Sequence, residues 1–357
     1  MLFEMTFFRF ISLITSLLCG CYLLSLVHRR KLSGFEFIFW FGIIIIIFAL
    51  SISPEIIVFI FKYLTLSINN RYDRLVGLSF ILISFSYFIT FYYRNRTHVF
   101  RSDFINFFQL TIVNQFFEKY KKSKKENALY IIIPAFNEEK NISNIIKRIP
   151  EKICNFTTRV VVINDGSTDG TVKVAEFNGA WVVDNPINFG QGVALETGYR
   201  FAIAMEARYV VTIDADGQYQ PEEIKKLIQP IIDGEFDMVS GSRTLGHYDQ
   251  KYARNHLIRS VGIQFFNFLL TILTGKKITD SSSGFRAVKV EFLNRLKFVQ
   301  EQFHSSEFLI ECLKKGLRFK EVPISFLPRS SGKSKKPQSL KYGVGFFRAV
   351  FKTWMRK

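Results

Sequence analysis

Asp214-Ala215-Asp216-Gly217-Gln218 directly follows the apolar run 209–213. Two carboxylates two residues apart at a strand end can hold Mg2+ or Mn2+ through oxygen ligands, with a diphosphate filling other positions. Asp-x-Asp also arises often by chance, but its place after an apolar run favours the first reading. Asn164-Asp165-Gly166-Ser167-Thr168-Asp169-Gly170 follows a second such run, 159–163. A carboxylate there can accept hydrogen bonds from a base or a ribose, and Gly166 lets the backbone turn. Asp-Gly and Ser-Thr-Asp are equally ordinary turn chemistry.

Other segments carry weaker signals. Pro134-Ala135-Phe136-Asn137-Glu138-Glu139 reads by itself as a turn and helix cap. Asn188-Phe189-Gly190-Gln191-Gly192 opens a helix, where glycines can admit a phosphate or carboxylate. Gly241-Ser242-Arg243 and Asp280-Ser281-Ser282-Ser283-Gly284-Phe285-Arg286 follow, and Glu321-Val322-Pro323 precedes Arg329-Ser330-Ser331-Gly332-Lys333-Ser334-Lys335. Arginine suits phosphate because it offers a planar fork of donors. The last segment also reads as a solvated basic loop.

These segments need a scaffold. Apolar runs at 129–133, 159–163, 180–183, 209–213 and 238–240 predict strands. Helical spacing predicts helices over 142–149, 168–177, 191–205 and 221–228. Strands alternating with helices predict an α/β domain with a mostly parallel sheet. In such sheets ligands bind at the carboxyl ends of the strands, where these polar segments fall.

The whole chain has 357 residues and a formal net charge of +18, yet 48% of it is hydrophobic and 40 residues are Phe. Disorder is excluded by the apolar content. The four cysteines, Cys19, Cys21, Cys154 and Cys312, exclude a disulfide scaffold and lack zinc-ligand spacing. Residues 1–126 carry +8, residues 127–313 carry −2 and residues 314–357 carry +12. A nucleic-acid binder would carry its charge on the folded domain beside a recognisable motif, and none is present. Charge confined to the flanks predicts contact with anionic membrane lipid.

Three uncharged apolar runs, 10–27, 37–53 and 75–93, are 18, 17 and 19 residues long, near the length of a membrane-crossing helix. They predict a three-helix transmembrane domain over 1–101. Basic clusters at 28–31 and 94–101 predict that the N-terminus lies outside and residues 94–357 in the cytoplasm, at the cell membrane. Pro54 predicts a break before 55–67, a stretch too short to cross alone. A charged juxtamembrane linker is expected over 102–126. Residues 261–273 read equally as an interfacial helix or a core helix. Apolar and basic residues alternate at helical spacing near the C-terminus, predicting a basic amphipathic helix over 336–357.

Taken in order, the segments PAFNEE, NDGSTDGT, NFGQG, DADGQ, GSR, DSSSGFR and EVPI with its following R and GKSK resemble family 2 glycosyltransferases of the polyprenyl-phosphate type, similar to dolichyl-phosphate mannosyltransferase. The resemblance covers about 127–335. It implies a GT-A, Rossmann-like fold and inverting, metal-dependent transfer of one hexose from UDP- or GDP-hexose to polyprenyl phosphate. It further implies that Pro134, Phe136, Glu138 and Asp165 contact the nucleotide, and that Asp214 sits between nucleotide and metal. Asp216 and Gln218 fall on the metal and diphosphate side, giving Asp214, Asp216 and Gln218 as the metal set for Mg2+ or Mn2+. Arg243 holds a phosphate, and Asp280 matches a base or acceptor-organiser. Arg329 and Ser334 match a loop that touches the acceptor phosphate. A phosphate acceptor is already ionised, so Asp280 is expected mainly to orient. The N-terminal region is similar in composition to a small three-helix membrane family found near such enzymes. Two departures stand out: no membrane helices follow the catalytic region, and no Gln-x-x-Arg-Trp motif of processive relatives is present. Another lipid or protein acceptor, an inactive membrane scaffold and a homo-oligomer stay open as alternatives.

Overall fold

The computed structural model describes residues 13–21, 24, 34–52, 71–124, 127–248, 257–296, 298, 303–329 and 340–356. It divides into two compact units, 1–100 and 101–357. The first holds helix α1 (Gly34–Ile52) and the opening part of a long helix, α2 (Arg71–Tyr120). Within it Trp40 meets Tyr92 edge-on at 6.4 Å. Among the described residues no helix is long and apolar enough to cross a membrane, so the expected three-helix transmembrane domain gains no support there. The basic cluster 28–31 and the stretch 55–67 lie outside the described residues.

The second unit is an α/β domain around one eight-stranded sheet, ordered β2-β3-β1-β5-β7-β6-β8 with β4 on β3. Its elements are β1 (Ala128–Ala135), α3 (Glu139–Arg148), β2 (Lys152–Ile153), β3 (Phe156–Asp165), α4 (Thr171–Phe177), β4 (Trp181–Asn185), α5 (Gln191–Ala204) and β5 (Tyr209–Thr212). Then come α6 (Ile224–Ile232), β6 (Met238–Tyr248), α7 (Leu257–Thr274), β7 (Arg286–Lys289), α8 (His304–Lys314), β8 (Phe319–Phe326) and α9 (Leu340–Met355).

Both faces of the sheet are covered, which is why β1 is buried along its whole length. Side chains alternate along a strand. Leu129, Ile131 and Ile133 meet the layer of α3 and α6, while Tyr130 and Ile132 meet the layer that includes α5, α8 and the end of α2. Each of these aliphatic side chains contributes about 1.5–3 kcal/mol by leaving water.

The expected parallel order holds for β4-β3-β1-β5. The far half is mixed. β7 runs antiparallel to both β5 and β6, and β8 runs parallel to β6. Strands β7 and β8 were not expected, because Arg286, Lys320, Glu321 and Pro323 break an apolar run. Helix α8 was not expected either, since Glu307 and Glu311 interrupt its apolar face, yet both are buried.

The structure adds to or changes three sequence readings. Residues 102–120 are helical, not linker, and a 3-10 turn over Lys121–Ser123 follows. Ile112, Val113, Phe116 and Tyr120 join the domain core, and Tyr120 stacks on Trp181 at 4.6 Å. Helix α7 buries Asn267 and Leu270 in the domain, as its core reading expects, while Phe265, Phe268 and Ile272 are exposed. Helix α9 is docked: Val350 and Thr353 are buried, and Arg356 is paired with Glu307 and Glu311 of α8.

Candidate active site

Parallel pairing brings the carboxyl ends of β1, β3 and β5 to one edge of the sheet, with Ala135 opposite Asn164 and Ile132 opposite Thr212. The loops after these strands therefore meet. Asn137, in the left-handed region at φ 53°, accepts from Thr168 N at 2.9 Å and donates its own N–H to Ser167 Oγ. Glu139 accepts from Gly170 N, and Glu138 N donates to Thr171 Oγ1. Pro134 is buried within β1, and Phe136 is half-buried just beyond it.

Asp165 closes β3 and is 3% exposed. Its Oδ1 accepts from Phe189 N at 2.9 Å and its Oδ2 from Gly190 N at 2.8 Å. Burial pushes this carboxyl upward, and the two backbone donors oppose that shift. Gly166, at φ +70°, is needed here: a Cβ would lie 2.5 Å from the Ile187 carbonyl carbon. Asp165 therefore joins the end of β3 to the 188–191 loop.

Gln191 continues that linkage, donating from Nε2 to Asp214 Oδ1 at 2.9 Å. Two residues on, Asp216 accepts from Gln218 N through Oδ1 and from Arg329 Nη2 through Oδ2 at 2.8 Å. Arg329 Nη1 also stands 3.6 Å from Glu138 Oε1. The Gln218 side chain points to the Leu327 carbonyl, 3.3 Å away, and so ties the Asp-x-Asp loop to the end of β8.

The antiparallel direction of β7 decides what faces these carboxylates. Arg286 opens β7 between Thr212 and Ser240, so the residues just before it lie at the carboxyl end of β5 and beside Gly241 of β6. Gly284 fits against Asp214 because it lacks a Cβ, which would come 2.9 Å from Oδ1. Gly284 N donates to Tyr219 Oη, and Thr212 Oγ1 donates to Gly284 O.

Asp280 is 1% exposed and meets Arg243 as a fork: Nε to Oδ2 and Nη2 to Oδ1, each 2.7 Å. Burial alone would raise its pKa, but the Arg243 charge and hydrogen bonds outweigh it and hold the carboxyl below its usual range. Arg243 Nη2 also donates to Ser282 Oγ, and its guanidinium lies 5.0 Å from the Phe326 ring centre. Arg243 reaches this position at an irregularity between β6 and β8, where a Cβ on Gly246 would meet the Ile324 backbone at 2.0 Å.

Five supporting residues had no role assigned from the sequence. Glu321 accepts from Thr279 N, Thr279 Oγ1 and Asp280 N at 2.7–2.9 Å, and burial raises its pKa. Asn267 donates to Thr279 O and accepts from Ser281 N. Buried Arg286 donates to Ser281 O and lies over Phe308. Gln191 and Tyr219 complete the set. Glu321, Arg286 and Gln191 lie in segments already noted in the sequence but carried no assigned role there; Tyr219 and Asn267 had no signal. Ser334 lies outside the described residues.

The residues present suit a divalent cation only as a partial site. Asp214 and Asp216 supply hard oxygen donors, and the Gly284 cradle leaves Asp214 room. Among the described residues no group of three or more His, Cys, Asp or Glu could hold a metal without further ligands.

Residues 130–297 match the profile of "Glycosyl transferase family 2". A UDP-N-acetylglucosamine–dolichyl-phosphate N-acetylglucosaminyltransferase of Methanococcus voltae is 33% identical, over 56% of this chain and 85% of its own length. The chain belongs to glycosyl transferase family 2. The uncharacterized protein MJ1222 of Methanocaldococcus jannaschii is 32% identical over 65% of this glycosyltransferase and 93% of its own length. A dolichyl-phosphate hexose transferase of Haloferax volcanii is 31% identical over 57% and 84%. The glucosyl-3-phosphoglycerate synthase of Mycobacterium tuberculosis, solved with Mn2+, UDP and phosphoglyceric acid, superimposes with a TM-score of 0.52 at 20% identity, covering 66% of this chain and 81% of its own. That likeness shows the GT-A-like fold of this glycosyltransferase.

Proposed function

We propose that this enzyme transfers one hexose, with inversion, from a UDP- or GDP-sugar to the phosphate of a polyprenyl lipid at the cytoplasmic face of the cell membrane. The observation that carries the reading is the Arg329 bridge to Asp216 and Glu138, which sets a guanidinium, a group suited to phosphate, against the acidic pair. The dolichyl-phosphate acceptors named for two relatives support the same acceptor class.

Asp214 and Asp216 would hold Mg2+ or Mn2+, which when bound offsets negative charge gathering on the departing diphosphate. Gln191 fixes the direction of Asp214. Arg243 is held in place by Asp280 and Ser282, so its charge needs no reorganisation during reaction. An acceptor phosphate oxygen bonds to the anomeric carbon as that carbon's bond to the diphosphate oxygen breaks. A phosphate monoester has a second pKa near ~6 and is largely ionised at neutral pH. No proton then has to move, and a single displacement inverts the anomeric centre. Asp280, held low by Arg243, is a poor base and serves as an organiser.

Two helix faces support membrane contact. Phe266 of α7 packs on Phe346 of α9, with ring centres 4.2 Å apart. Phe265, Phe268, Ile272, Phe347, Phe351 and Met355 are exposed. Exposed Lys276, Arg348 and Lys352 accompany them. Aromatic and basic residues together suit an anionic bilayer surface. For the domain organisation, we assign catalysis to 127–335 and count α9 and residues 101–120 with it, because both pack into its core.

The test incubates membranes containing the full chain with a panel of UDP- and GDP-hexoses and polyprenyl phosphate, with Mg2+, Mn2+ or chelator. Mass spectrometry of the lipid should show one added hexose for one donor, and none with chelator. Absence of any lipid-linked product across the panel would overturn the reading.

A further inference from the structure

We infer that helix α2 is part of the donor site, and that Phe108 and Gln109 are positioning residues for the loop that holds Asp165 and Asp214. The inference rests on the nucleotide-sugar reading given above.

Phe189 N and Gly190 N clamp the two oxygens of Asp165, and Gln191 clamps Asp214. One four-residue loop therefore sets both carboxylates. Gly190 sits at φ +101°, a conformation open to glycine and strained for other residues. Phe189 ties this loop to helix α2. Its side chain is 7% exposed and lies in a small apolar cluster with Ile105 and Val193, against which Phe108 packs. The Phe108 and Phe189 ring centres are 6.2 Å apart, within the range of a favourable aromatic pair. Ile105 and Phe108 both belong to α2.

A polar contact fixes the same junction. Gln109 is 3% exposed, and its Nε2 stands 3.2 Å from both Val193 O and Thr197 Oγ1 in the first turns of α5. Helix α5 begins at Gln191. A buried side-chain amide on one helix thus fixes the start of another, directly behind the clamp. Lower on α2, Tyr120 Oη accepts from Val182 N, so the helix is attached to the domain at two levels. A segment that reads as linker is in this way built into the support of the donor carboxylates. A displacement of α2 moves Phe189 and, through the backbone donors, Asp165.

The experiment uses the full-length chain and measures binding of UDP and of GDP, the donor KM and kcat, and the thermal midpoint. The variants are Phe108→Ala, Phe108→Leu, Gln109→Leu and, as control, Ile112→Ala. Ile112 lies on the same helix but packs in the main core rather than on Phe189. Phe108→Ala should weaken nucleotide binding and raise donor KM about tenfold, with kcat changed less than threefold. Phe108→Leu should recover most of the loss. Gln109→Leu, which keeps the volume and removes the donor, should cost about threefold. Ile112→Ala should lower the thermal midpoint and leave nucleotide affinity within twofold. Should Phe108→Ala fail to fold, Gln109→Leu decides. Unchanged affinity in the Phe108 and Gln109 variants, or an equal loss in Ile112→Ala, overturns the inference. Failure of the unmodified chain to bind either nucleotide instead overturns the donor-site reading on which it rests.

Discussion

Arg329 donates to Asp216 across 113 positions of sequence, with Nη2 and Oδ2 2.8 Å apart. A cation carried just beyond β8 thus occupies the carboxylate assigned to the metal. In the free enzyme it offsets the repulsion that Asp216 and Glu138 would otherwise exert on each other.

Removing Arg329 should therefore affect metal binding and turnover in opposite directions. In Arg329→Ala, Mn2+ titrated into the nucleotide-free chain and followed by electron paramagnetic resonance should bind about fivefold more tightly, because a competing partly buried charge is gone. Transfer should fall at least tenfold if, as proposed, Arg329 holds the acceptor phosphate. Unchanged Mn2+ affinity would show that the Asp216 contact is incidental.

Arg243 and Asp280 form a buried pair, so losing one partner strands the other. Arg243→Ala should destabilise the domain by about 3–5 kcal/mol in urea unfolding. Asp280→Asn should cost less, since the stranded partner, Arg243, is the less buried of the two and one amide oxygen can still accept from it, while transfer still collapses. Equal stability of Arg243→Ala and the unmodified chain would contradict the buried geometry.

The depressed pKa of Asp280 carries a pH signature. A carboxyl that ionises more readily when folded contributes its stability above its unfolded pKa of about 3.9. That contribution is lost as pH falls through the lower folded value. Unfolding midpoints compared at pH 3 to 7 should show the gap between unmodified chain and Asp280→Asn narrowing toward acid. The activity profile near neutrality should show no basic limb removed by Asp280→Asn. A limb that disappears in this variant would make Asp280 a true general base.

Glu321 accepts three hydrogen bonds from the residues that lead into Asp280. An amide at that position turns one acceptor into a donor facing another donor. Glu321→Gln should cost about 1–3 kcal/mol of stability and lower kcat by displacing Asp280. Retention of full kcat would limit Glu321 to a structural part.

The exposed rings of α7 and α9 should be dispensable for folding and needed for lipid acceptors. Phe268→Asp combined with Phe351→Asp should leave the thermal midpoint and nucleotide binding unchanged. Transfer to polyprenyl phosphate in anionic vesicles should drop about tenfold, as insertion of apolar side chains into a bilayer surface is lost. Equal transfer by the double variant would remove these faces from membrane contact.

Much of this enzyme could be read from its chain in order. Alternating apolar runs and helical periodicities placed β1, β3, β4, β5, α5 and the start of β6, because burial on both sheet faces leaves a signal in composition. The acidic pair, the Asn-Asp-Gly turn and the arginine segments were also legible, since their chemistry resides in side chains close together in sequence. What stayed hidden depends on pairing across long separations. Only the tertiary structure reversed β7 and so set Gly284 against Asp214 and Asp280 against Arg243. Only it made the supposed linker a helix carrying Gln109 to Val193, 84 positions away. Only it placed Glu321 beneath the Asp280 loop, and Arg356 between two buried glutamates of α8. Each of these is a polar group whose burial is tolerable solely because a distant partner satisfies it. Periodicity records whether a side chain is apolar. It carries no record of the partner that makes a buried charge affordable, and that was decided by the fold.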